Sequence, residues 1–120
     1  METRELLKEK IREIIRGIES PVIVEGKHDE KALAPYCSVI VKMCGRSLYG
    51  LATYVSERYG EVIILTDFDK EGDSLAGKLN LLLVSLGVRI DTKTRARLKQ
   101  QAIRLGASQI EALGKALRDL

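Results

Sequence analysis

Four short runs of β-branched apolar residues, separated by stretches long enough for helices, constrain this chain more than any other feature. The runs are Val22-Ile23-Val24, bounded by Pro21 and Gly26; Val39-Ile40-Val41 within residues 38–43, closed by Gly45; Val62-Ile63-Ile64-Leu65, closed by an acidic cluster; and the weaker Val88-Arg89-Ile90 after Gly87. Unbroken apolar runs, rather than alternating ones, suit strands covered on both faces. The segments between them read as helices: about His28 to Ala34, ended by Pro35; Leu48 to Tyr59, with Ser47 as N-cap; and about Gly72 to Leu86. Strands alternating with helices predict an α/β fold, a Rossmann-like parallel four-stranded sheet flanked by helices.

Both ends of the chain read as helical. Leu7, Ile11, Ile14, Ile15 and Ile18 fall at helical spacing before Ser20-Pro21 stops the pattern. After Asp91, Thr92 is placed to cap one helix, Gly106 separates it from the next, and Ser108-Gln109-Ile110-Glu111 has the form of a capping box. The expectation is a single domain over residues 1–120: an N-terminal helix (1–20), a sheet core (21–91) and a C-terminal basic helical appendage (92–120). Residues 92–120 carry 7 Lys/Arg against 2 Asp/Glu, although the whole chain is only +3. Lys93, Arg95, Arg97, Lys99 and Arg104 are spread around their helix rather than confined to one stripe, so much of this basic charge is expected to face solvent or RNA. Leu98, Ala102 and Leu105 form an apolar face for packing on the sheet module or another chain. Ile110, Leu113, Leu117 and Leu120 equally suit a dimer surface, giving a homodimer or larger complex through the terminal helices. A basic segment on an acidic body favours an anionic partner, with nucleic acid first.

Other chemistries have little to work with. One His and two Cys outside any Cys-x-x-Cys leave no zinc site, Ser/His triad or disulfide scaffold. The apolar stretches fall short of a membrane span and the charged N-terminus is unlike a secretory leader, so a cytoplasmic protein without membrane association is expected. Cys37 and Cys44 read as small buried apolar residues.

The carboxylates remain. Strand C-termini of a parallel sheet share one edge, where ligands bind. Glu25 ends the first run there, and Asp67-Phe68-Asp69-Lys70-Glu71-Gly72-Asp73 follows the third. In an extended chain Asp67 and Asp69 point the same way. Two carboxylates about 4 Å apart repel by about 4 kcal/mol at an effective dielectric of 20, so such a cluster holds a proton or binds a cation. Oxygen-only ligands favour a hard ion, Mg²⁺ above all. The plainer alternative is that Asp67, Asp69 and Asp73 punctuate a turn and cap the helix near Gly72.

These residues resemble the Toprim domain of topoisomerases, bacterial-type primases and recombination-repair proteins. A strand ending Val24-Glu25-Gly26 with Asp29 shortly after, then Asp67-x-Asp69-x-x-Gly72, carries the resemblance over about residues 21–91. The opening Val24-Glu25-Gly26-Lys27-His28-Asp29 is similar to the 5S ribosomal RNA maturation nuclease and uncharacterised small Toprim proteins. The resemblance implies that Asp67 and Asp69 ligate Mg²⁺, with Mn²⁺ as a substitute. Glu25 would be a general acid/base or a further ligand, while Gly26, Asp29, Gly45 and Gly72 are structural parts of the motif. It implies a metal-dependent nuclease acting on phosphodiesters, RNA ahead of DNA, or a non-catalytic nucleic-acid-binding or accessory module. The additional domains of topoisomerases and primases are not in this chain, which argues against strand passage or primer synthesis by it alone. A phosphatase or receiver-like domain fits less well, because Glu25 stands where those families place a nucleophilic Asp.

Three residues near the same edge are candidates for phosphate contact. Gly45-Arg46-Ser47 opens a helix there, where free backbone N–H groups and Arg46 suit an anion. Lys27 lies close to Glu25. An ordinary solvated Arg46 beside an N-cap is the alternative, and His28 and Lys31 read as polar surface.

Overall fold

A computed structural model describes residues 3–118. Its elements are α1 (Arg4–Arg16), β1 (Val22–Val24), α2 (Lys27–Leu33), β2 (Ile40–Lys42), α3 (Leu48–Ser56), β3 (Glu61–Ile64), α4 (Lys70–Ser85), β4 (Arg89–Ile90), α5 (Thr92–Leu105) and α6 (Ile110–Arg118). The four strands form the expected parallel sheet, in the order β2-β1-β3-β4.

Alternation along each strand divides the interior into two cores. Val22, Val24, Ile63 and Leu65 pack against α1, α2, α5 and α6. Ile23, Val41, Val62 and Ile64 pack against α3 and α4. The helix after β1 therefore lies on one face, and the helices after β2 and β3 lie on the other. The connections reverse direction between β1 and β3, which makes the gap at their C-terminal ends the switch point of the sheet. Backbone pairing carries on past the strands, with Leu65 N donating to Ile23 O at 2.8 Å and Met43 N to Val24 O at 3.0 Å. The strand ends are thus held rigidly side by side.

The C-terminal helices pack onto the sheet module rather than onto another chain. Leu98, Ala102, Leu105, Ile110, Leu113 and Leu117 are all buried in the core that covers β1 and β3. Each fully buried Leu or Ile contributes about 1.5–3 kcal/mol, so removing α5 and α6 would uncover one sheet face. The apolar stripe of α6 is used within the chain and leaves those residues no dimer surface; Leu120, expected on the same stripe, lies outside the described residues. Helix α1 closes this layer chemically as well. Arg4 donates to Leu105 O at 3.1 Å and Arg12 to Leu117 O, satisfying carbonyls at the ends of α5 and α6. Helices α2 and α6 approach so closely that a Cβ on Gly114 would lie 2.4 Å from Ala32 Cβ.

Several helix starts differ from expectation. Helix α4 begins at Lys70, two residues before Gly72, and Asp69 is its N-cap. Asp91 rather than Thr92 caps α5, accepting the Thr94 amide at 2.9 Å. Both are Asp residues one position outside the helix, where a short acceptor reaches the free amides of the first turn. Ser47 does cap α3, accepting from Gly50 N at 3.0 Å, and Gly106 ends α5 with φ 87°. Among the described residues no helix is long and apolar enough to cross a membrane.

Candidate acidic site at the strand ends

Glu25 leaves β1, Asp67 follows β3, and Asp29 stands in the first turn of α2. At the switch point these three carboxylates bring one oxygen each within 4.8 Å of the others. Their local backbone explains the convergence. Glu25 directly follows the last β1 residue, and Gly26 is the extended N-cap that turns the chain into α2. One helical turn then returns Asp29 toward Glu25, with Glu30 N donating to Gly26 O at 3.1 Å.

The charge is concentrated enough to move proton affinities. Burial, then the charges of Asp67 and Asp29, raise the Glu25 carboxyl above its ordinary value, against a hydrogen bond from the Asp67 backbone. Burial and the Asp67 charge likewise raise Asp29. An oxygen-only set of three crowded carboxylates, two of them reluctant to ionise, fits a hard divalent cation.

Asp69 is not in this group. Its Oδ1 accepts the Gly72 amide at 2.7 Å and starts α4, although its charge still reaches Glu25. The chain after β3 turns into a helix instead of staying extended, so Asp67 and Asp69 take different tasks. Asp73, the third carboxylate of the segment, pairs with Arg95 at 3.0 Å and with Lys99. Burial would raise its carboxyl, but hydrogen bonds from Lys99 and Arg95 prevail and hold it below the usual range.

The loop that presents Asp67 is locked from within. Buried Thr66 donates its hydroxyl to Gly72 O at 2.7 Å. A Cβ on Gly72 would fall 1.9 Å from Asp67 O, so the close approach of α4 to this loop requires glycine. The C-terminal helices hold the same loop from outside. Arg95 donates to Ile64 O (3.1 Å), Thr66 O (2.9 Å), Asp67 O (3.1 Å) and Asp73 Oδ1 (3.0 Å). Asp67 Oδ1 accepts Ile110 N at 2.9 Å, and Phe68 N donates to Ser108 O at 2.6 Å. Asp67 therefore supplies a cap to α6.

Much of the charge of α5 was expected to face solvent or RNA; Arg95 and Lys99 are instead turned inward onto the segment after β3 and the first turn of α4. Nothing in the sequence separates Arg95 from Arg97 except position, since only Arg95 shares a helix flank with partly buried Lys99. A second omission is α4 itself. Glu25 opens on a cleft of about 600 Å³ whose other wall carries Lys70, Glu71, Ser74, Leu75 and Lys78. Of the expected phosphate contacts, Lys27 is exposed at the start of α2, Ser47 is the α3 cap, and Arg46 lies over the Tyr54 ring at 4.2 Å. Gly45 (φ 73°) and Cys44 (φ 45°) form the left-handed turn that precedes Arg46, closed by Arg46 N donating to Met43 O at 3.0 Å. Cys44 is exposed there, not buried as expected, whereas Cys37 is buried and its thiol is pushed up to about 11.

Known proteins match this sequence over most of their length. The UPF0292 protein of Pyrococcus horikoshii is 41% identical over 96 residues, covering 78% of this chain and 72% of the relative. The chain belongs to the UPF0292 family. Other UPF0292 proteins extend the comparison: that of Thermococcus onnurineus is 40% identical over 78% of this chain and 71% of its own. That of Methanocaldococcus jannaschii is 36% identical over 76% and 74%. A solved structure from Aquifex aeolicus superposes with a TM-score of 0.69 at 26% identity, covering 92% of the UPF0292 chain and 98% of the other. No family model matches the sequence.

Proposed function

We propose that this UPF0292 protein is a small Toprim-type, divalent-cation-dependent nuclease acting on nucleic-acid phosphodiesters, with RNA ahead of DNA, in the cytoplasm. The observation that carries this reading is the meeting of Glu25, Asp29 and Asp67 at the switch point of a parallel sheet. Those three residues would hold Mg²⁺ or Mn²⁺, which when bound supplies positive charge to a phosphodiester and to the water that attacks it. The chain's own groups do the rest. Glu25, its carboxyl raised by burial and by Asp67, suits proton transfer at the attacking water or the leaving oxygen. Lys70 and Lys78 across the cleft suit the flanking phosphates. Arg95 and Gly72 keep Asp67 in place.

A cleavage assay on structured RNA and single-stranded DNA with Mg²⁺ or Mn²⁺ tests the proposal. Wild type should cut, and Asp67→Asn and Glu25→Gln should each lose at least about a hundredfold in rate, the range general acid–base and charge stabilisation supply. No cutting by wild type under any of these conditions overturns it. One observation favours a second reading, a nucleic-acid-binding or accessory module without catalysis. The Asp69 carboxylate, a metal ligand by resemblance, caps α4 and lies outside the group formed by Glu25, Asp29 and Asp67. That reading expects binding to survive Asp67→Asn with no turnover in either protein.

A further inference from the structure

We infer that Arg46, Tyr54 and Arg58 form a docking surface for an extended single strand of nucleic acid, beside the acidic site on the flank built by α3. The guanidinium carbons of Arg46 and Arg58 lie 4.2 and 3.7 Å from the centroid of the same Tyr54 ring. Two like charges gather there because the ring face attracts each of them. Arg58 is anchored further by donating to Tyr54 O at 2.9 Å. Among the described residues Arg46 has no ion pair, and the carboxylate paired with Arg58, Glu57, stands 3.9 Å away. Both arginines are exposed, so the patch keeps its positive charge and guanidinium donors facing outward.

Next to it lies a depression of about 250 Å³ lined by Ile40, Lys42, Cys44, Arg46, Tyr54 and Tyr59. Its floor is the edge strand β2, and its rim combines cations with two tyrosines. Charge complementarity selects a polyanion. The flat aromatic and guanidinium surfaces select one with bases to stack, and bases are available in a single strand but not in a duplex. The turn through Cys44 and Gly45 carries Arg46 off the end of β2, the neighbour of β1, so the Arg46 end of the patch faces the edge where Glu25 stands, while Arg58 follows the far end of α3. Helices α3 and α4 share one core, which puts the patch on the same flank as the cleft holding Lys70 and Lys78. A strand lying along this flank from Arg58 to Arg46 runs toward the sheet edge that carries the acidic site. The inference rests on the nucleic-acid part of the proposed function, and it requires neither a metal nor cleavage.

Fluorescence anisotropy with labelled oligouridylate and oligothymidylate, in EDTA and over a series of KCl concentrations, tests it. Wild type should bind, with affinity falling as salt rises. Arg46→Gln/Arg58→Gln should weaken binding about tenfold or more and lower the log–log salt slope by about 1.4, the value for two single-strand phosphate contacts. Lys93→Gln/Arg97→Gln, which removes the same charge from the exposed side of α5, should leave both quantities near wild type. Arg46→Lys/Arg58→Lys should keep the slope and lose affinity, since lysine preserves charge but not the planar stack. Equal losses in the two glutamine double variants, or tighter binding of duplex than of single strand, overturn the inference. Wild-type binding untouched by the Arg46/Arg58 change overturns it and leaves the nucleic-acid reading standing. No binding of any oligonucleotide by wild type overturns both.

Discussion

Asp67 Oδ1 accepts the Ile110 backbone amide at 2.9 Å, so one carboxylate both joins the acidic site and starts a helix 43 residues later. The two tasks separate by substitution. Asp67→Asn keeps a capping oxygen and removes a repelling charge, so its thermal midpoint should match or exceed wild type. Asp67→Ala loses the cap and should cost about 1 kcal/mol. Thermal unfolding of the two variants checks this; an Asn variant as unstable as the Ala variant would contradict it.

Gly72 and Gly77 lie in the same helix and should respond oppositely to alanine. At Gly72 the new Cβ would meet Asp67 backbone at 1.9 Å, which predicts a loss on the order of 3 kcal/mol. At Gly77 nothing lies within 4 Å, and the better helix propensity should add about 0.5–1 kcal/mol. Urea midpoints measure both. A neutral Gly72→Ala would mean that the close contact is absent in solution.

Arg95 holds three carbonyls from the end of β3 and the loop after it, and one carboxylate from the first turn of α4. Arg95→Met should destabilise by about 2–3 kcal/mol, since four acceptors lose their donor in a side chain only 13% exposed. Arg95→Lys should recover less than half of that, because an ammonium cannot span the same fork of acceptors. Full recovery by lysine would reduce the clamp to simple charge.

Stability should depend on pH in two opposed ways. The raised carboxyls of Glu25 and Asp29 stabilise the fold fully below their ordinary values of 4.5 and 3.8, and that contribution is lost as pH rises through their folded values. The lowered Asp73 works in reverse: its contribution is present above 3.8 and is lost as pH falls through its folded value. Mn²⁺ competes with protons for these carboxyls, so it should raise the thermal midpoint more near neutrality than near pH 4. Melting curves at both pH values, with and without Mn²⁺, should show this difference, and Glu25→Gln should shrink it. An equal Mn²⁺ effect at both pH values would contradict the account.

The strands were legible because each is a β-branched run with a physical stop at both ends, as Pro21 and Gly26 frame Val22-Ile23-Val24. Glu25 and Asp67 were legible because strand ends of a parallel sheet share an edge. Asp29 was visible in the motif, but its entry into the acidic group depends on how one turn of α2 is oriented. The second task of Asp67 and the burial of Arg95 depend on residues 43 and 22 positions away, respectively, and local pattern is silent at that range. The same holds for α5 and α6, whose apolar faces signal burial without saying against what. Asp69 followed the plainer rule, in which an Asp before a helix caps it.

Calorimetric titration of Mn²⁺ and Mg²⁺ into wild type, Asp67→Asn, Asp29→Asn and Asp69→Asn tests the central claim most directly. Asparagine keeps the caps at Asp67 and Asp69, so a lost heat reports the ion rather than unfolding. The account predicts saturable binding by wild type, its loss in Asp67→Asn and Asp29→Asn, and its persistence in Asp69→Asn. No binding by wild type, or equal binding by all four proteins, would contradict a cation site built from Glu25, Asp29 and Asp67.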